Sequence, residues 1–137
     1  MIGMVLVTHG RLAAEFIAAL EHVVGPQSHI AAVCIGPEDD MEKRRADILD
    51  SVRAVDSGAG VVLLTDMFGG TPSNLGMPFI EKDSLEVITG VNLPMMIKLA
   101  TLRQPSDLLA VARQMRDEGR NAIWVASDFL RGEKTAT

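Results

Sequence analysis

Val61-Val62-Leu63-Leu64-Thr65-Asp66-Met67-Phe68-Gly69-Gly70-Thr71-Pro72 begins as an unbroken run of branched apolar residues and ends as the opening of a helix. A run of that density suits a strand covered on both faces, as in a parallel sheet. Thr71-Pro72 then reads as an N-cap followed by proline at the first helical position. Asp66 stands just beyond the strand, and Gly69-Gly70 fill the turn.

The same alternation extends in both directions from this block. Upstream, Ile2 to Val7 is a second compact apolar run, and Leu12, Phe16, Leu20 and Val23 or Val24 recur at helical steps until Gly25-Pro26. Ile30 to Ile35 reads as a strand closed by Gly36-Pro37. Glu38, Asp39 and Asp40 then put negative charge at the start of a helix marked by Met41, Ile48, Val52 and Val55. Downstream come a strand at Leu85 to Thr89, a short helix at Pro94 to Leu102, and a helix opened by Pro105-Ser106-Asp107. Ala122 to Ala126 reads as a fifth strand. This order predicts an α/β fold: a doubly wound, mostly parallel five-stranded sheet with helices on both faces. Such sheets bind ligands beyond the carboxyl ends of their strands. The loops to inspect are therefore Thr8-His9-Gly10, Gly36-Pro37, Asp66 to Thr71, and Gly90 to Pro94.

The chain has 137 residues, room for one domain, expected over 1–126 with a polar tail over 127–137. Hydrophobic residues make up 47%, which suits a compact globule, and neither repeats nor low-complexity segments occur. With 13 basic against 18 acidic residues the net charge is -5, which does not favour a nucleic-acid partner. No signal peptide and no membrane-length apolar run is present, so the expected setting is cytoplasmic, without membrane insertion. The single Cys34 sits in Ala31-Ala32-Val33-Cys34-Ile35 and reads as a buried structural thiol. Met95-Met96 and Met77-Pro78-Phe79 read as core.

His9 stands out among three histidines because it alone ends a buried strand; His22 and His29 read as surface residues. Asp66 ends a strand that commonly neighbours the first in doubly wound sheets. A carboxylate bonded to one imidazole nitrogen fixes the tautomer and leaves the other nitrogen free as a nucleophile. The bland alternatives are a capped strand-end imidazole and an aspartate that merely caps its turn. Gly69-Gly70-Thr71 could cradle phosphoryl oxygens through close-approaching backbone, N–H groups at a helix start, and the Thr71 hydroxyl. There is no nucleotide-binding G-x-x-x-x-G-K-[ST] loop and no recognisable metal-ligand set, so no metal or cofactor is expected. Phosphoryl chemistry without a nucleotide site points to a carrier charged by another protein.

Three blocks then resemble the mannose-family IIA domain of the bacterial phosphoenolpyruvate-dependent sugar phosphotransferase system. They are Met4-Val5-Leu6-Val7-Thr8-His9-Gly10, Thr65 to Asn74, and Gly90-Val91-Asn92-Leu93-Pro94-Met95. The resemblance covers about Met1 to Ala126. It implies that His9 accepts a phosphoryl group from the phosphocarrier HPr, that Asp66 orients it, and that Thr71 lies beside the phosphate. It further implies onward transfer to a IIB component, or alternatively a regulatory protein without its own sugar permease. Family members are homodimers with an antiparallel last strand exchanged between subunits. The related phosphocarrier subunit of dihydroxyacetone kinase lacks a block like Asp66 to Pro72 and is the poorer match. Arg11 and Phe68 replace aromatic residues frequent at those places in sugar-transporting members, which bears on partner choice.

Overall fold

The computed structural model describes residues 1–132. Its elements are β1 (Gly3–His9), α1 (Leu12–Val24), β2 (Ile30–Ile35), α2 (Met41–Val55), β3 (Val61–Thr65) and α3 (Thr71–Gly76). A 3-10 turn at Met77–Phe79 follows, then β4 (Leu85–Thr89), α4 (Leu93–Thr101), α5 (Leu108–Asn121) and α6 (Ala126–Leu130). The four strands pair in the order β2-β1-β3-β4, all parallel.

Alternation along β1 and β3 builds two cores, one on each side of the sheet. Met4, Leu6, Val62 and Leu64 face a layer that includes Leu20 of α1, Met96 and Leu99 of α4, and Met115 of α5. Val5, Val7, Val61 and Leu63 face the other way, onto Ile48 and Val55 of α2 and Leu75 of α3. This is the doubly wound arrangement expected. No helix among the described residues is long and apolar enough to cross a membrane.

Several expectations need correction. The fifth strand at Ala122 to Ala126 is absent: α5 unwinds through Ala122 N–H to Glu118 O and Ile123 N–H to Arg120 O, and the chain re-coils as α6. A strand exists only against a neighbour, and among the described residues this segment pairs with no strand; Val125 and Leu130 are left 61% and 84% exposed. The tail expected from 127 thus begins inside α6, while residues 133–137 lie outside the described residues. Leu12 and Val23 point outward, and Ala13, Phe16, Ile17, Leu20 and Val24 take the buried face of α1. Thr8 sets that rotation, since its buried Oγ1 accepts from Ala13 N–H at 2.6 Å and ties the first turn to β1. Met77 and Pro78 are exposed rather than core, and Cys34, on edge strand β2, is only half-buried.

Candidate functional site

The chain runs from β1 to β2 on one side and returns to β3 on the other side of β1. The switch point therefore lies between β1 and β3, where the loops beyond their carboxyl ends diverge and leave a crevice. Val7 is paired with Thr65, so His9 and Asp66 emerge side by side above that edge.

Asp66 holds His9 twice through one oxygen. Its Oδ2 lies 2.8 Å from His9 Nδ1 and accepts the His9 backbone N–H at 3.0 Å. Burial pushes the pKa of Asp66 up, but the bonds from the His9 backbone and ring outweigh it and hold the carboxyl below its usual value. An ionised Asp66 accepts and does not donate, so Nδ1 must carry the proton and Nε2 keeps its lone pair. Exposure agrees with a division of labour: the His9 side chain is 49% exposed and that of Asp66 13%.

The turn after β3 forms the other wall. A Cβ built on Gly70 would stand 2.8 Å from His9 Cε1 and 3.3 Å from Nε2, so only glycine admits the ring at this distance. Gly69 has φ +87°, a conformation that also favours glycine. Its N–H already donates to Ser73 Oγ at 3.0 Å, so Gly69 shapes the turn and its amide is engaged. The N-cap of α3 is Gly70, one residue earlier than expected, and it has no side-chain cap. Thr71 is thereby the first helical residue, exposed, and it lines with His9, Ile35, Gly36, Pro37 and Met41 a cleft of about 320 Å³.

The fourth loop serves structure. Asn92 Oδ1 accepts from Met95 N–H at 3.1 Å, capping α4, and its Nδ2 donates to Gly119 O at 3.0 Å, tying α4 to α5. Gly36 and Pro37 belong to the cleft, held from below by Asp39, which accepts from Gly36 N–H at 2.8 Å and pairs with Arg44. Arg11 follows the lining residue Gly10, and Phe68 precedes the Gly69-Gly70 turn. Phe68 is 70% exposed, and among the described residues no hydrogen bond or ion pair engages the Arg11 side chain. His22 and His29 are exposed and remote from the cleft. Sequence reading passed over Ser73; its signal is a serine in the first turn after two glycines, where a side chain can reach back to the loop.

A family model described as PTS system fructose IIA component matches residues 3–115. The PTS system mannose-specific EIIAB component of Escherichia coli is 30% identical over 127 residues, covering 89% of this chain and 39% of that protein's length. The PTS system fructose-specific EIIA component of Bacillus subtilis is 24% identical over 137 residues, covering 99% of this chain and 94% of that one. Among solved structures, phosphotransferase system component EIIA from Streptococcus agalactiae superposes with a TM-score of 0.83 at 20% identity, covering 93% of this chain and 98% of that one.

Proposed function

This chain belongs to the EIIA-man family of the phosphotransferase system, and from that premise we propose that it carries a phosphoryl group on His9, taken from phospho-HPr and passed to a IIB component. The observation that carries this reading is the pairing of Asp66 with Nδ1 at 2.8 Å, beside Gly70, which puts no Cβ against the Nε2 edge.

In the proposed step the Nε2 lone pair attacks phosphorus in line as the donor's N–P bond breaks. The donor imidazole departs with that electron pair. Nδ1 keeps its proton, and the positive charge gained by the phosphorylated ring is met by the Asp66 carboxylate. The donor is already activated, so the protein's task is alignment and charge stabilisation rather than acid–base work. Backbone N–H groups at the start of α3 and the Thr71 hydroxyl are suited to the phosphoryl oxygens. Delivery to the acceptor runs the same displacement with His9 as leaving group. Arg11 and Phe68 are the residues that would meet the incoming protein, and they set which acceptor is served.

The working unit is proposed to be a homodimer. Ile123, Val125, Phe129 and Leu130 are exposed, and among the described residues the outer edge of β4 is met only by the Glu81–Leu85 bridge. Segment 122–130 of each subunit would cover the other's β4 edge, which gives it the strand neighbour it lacks within its own chain.

Incubation with phospho-HPr followed by intact-mass measurement tests the carrier reading. One acid-labile phosphoryl group on the wild type and none on His9→Ala is the expected result. Equal labelling of both proteins, or none on either, would defeat it.

A further inference from the structure

Ser73 is fully buried, although it follows a solvent-facing loop. Its Oγ accepts from Gly69 N–H at 3.0 Å and donates to Gly70 O at 3.0 Å. One hydroxyl thus spends its proton and a lone pair on the two glycines of a single turn. The arrangement is half of a capping box, in which a first-turn side chain reaches back to an N–H just outside its helix. On the far side of Gly70 lies the imidazole, within 2.8 Å of where a Cβ would be. Only one peptide unit separates the serine from the reactive edge of His9.

We infer that Ser73 is a positioning residue for group transfer at His9, clamping Gly69-Gly70 into a fixed wall against which the ring rests. Two adjacent glycines have the widest backbone freedom of any pair, so their shape must be imposed from outside. Asp66 tethers the ring at Nδ1 and the His9 backbone, but these attachments leave the ring free to pivot. The wall removes that freedom. The serine exchanges no proton with the substrate, and the bonds made and broken in transfer are those already given.

The consequence for rate rests on His9 being the phosphoryl acceptor; the consequence for ring geometry does not. The test therefore reads both. Imidazole nitrogen NMR across pH is recorded on the unphosphorylated protein, and transfer from phospho-HPr is timed, for wild type, Ser73→Ala and Leu75→Val. Leu75 packs from the same helix into the core, so its truncation loosens α3 and leaves both serine bonds intact. Wild type is expected to show a single Nδ1–H tautomer. Ser73→Ala should mix tautomers and slow transfer roughly 10- to 100-fold, the scale of a small misalignment, while Leu75→Val stays near wild type in both. Should Ser73→Ala prove poorly folded, Ser73→Cys keeps the volume, weakens both bonds and should shift both readouts in the same direction. A Ser73→Ala protein with wild-type spectrum and rate overturns the inference, as does a Leu75→Val protein that reproduces both defects. A tautomer change in Ser73→Ala with no labelling of any variant would support the clamp and defeat the carrier reading.

Discussion

At the residue scale, one carboxylate oxygen organises the site. Asp66 Oδ2 holds the His9 backbone and ring together, so the tether of the ring and its tautomer come from the same oxygen. Asp66→Asn offers a neutral amide in place of the charge, and it should slow phosphorylation of His9 by roughly a hundredfold, measured as initial rate with phospho-HPr. The pair also links stability to pH. The pKa of Asp66 is lowered on folding from 3.8, so the stability it adds is present above the unfolded value and fades as pH falls through the folded one. Urea denaturation of Asp66→Asn against wild type should show a deficit of about 1–2 kcal/mol near neutral pH that shrinks below about pH 4. Gly70→Ala is expected to displace the ring, cutting transfer more than about tenfold while the circular dichroism stays native. His9 and Asp66 were legible in the sequence because both end runs too apolar to be anything but central strands. Ser73 was not, because a serine after Thr71-Pro72 looks like any polar first-turn residue until the loop's path is known.

At the element scale, caps decide where helices start and therefore what their first turns present. Asp40, Asn92 and Asp107 each accept a backbone N–H at the start of α2, α4 and α5. All three starts could be read from residue type to within a position. Two details could not. Thr71 has the chemistry of an N-cap, yet Gly70 takes that place, because Ser73 satisfies the preceding N–H and the helix can begin a residue earlier. Likewise Leu12 fits the apolar stripe of α1, but the bond from Ala13 to Thr8 turns it outward. Asn92→Ala removes both a cap and the link to Gly119, and should cost about 1–2 kcal/mol in urea denaturation. Transfer at His9 should be little changed, since the fourth loop does not line the cleft.

At the scale of the whole molecule, the sheet order creates the site. Placing β1 between β2 and β3 sets the switch point over His9, and the strand alternation that revealed this fold in the sequence also fills both cores. At the end of the sheet, Ala122 to Ala126 forms no strand among the described residues. The apolar stretch Ala122 to Ala126 predicts a strand, but pattern alone cannot say whose sheet supplies its neighbour. If the partner's β4 does, sedimentation equilibrium should give a dimer for the full chain and a monomer when residues 123–137 are removed. A full chain that sediments as a monomer would contradict the exchanged arrangement and leave the apolar end unexplained.

The central claim, that Asp66 occupies Nδ1 so that Nε2 makes the bond to phosphorus, is tested most directly by nitrogen–phosphorus coupling in the phosphorylated protein labelled at histidine. Coupling to Nε2 of His9, with Nδ1 still protonated, is the predicted result. Phosphorus on Nδ1, or on any residue other than His9, would contradict it.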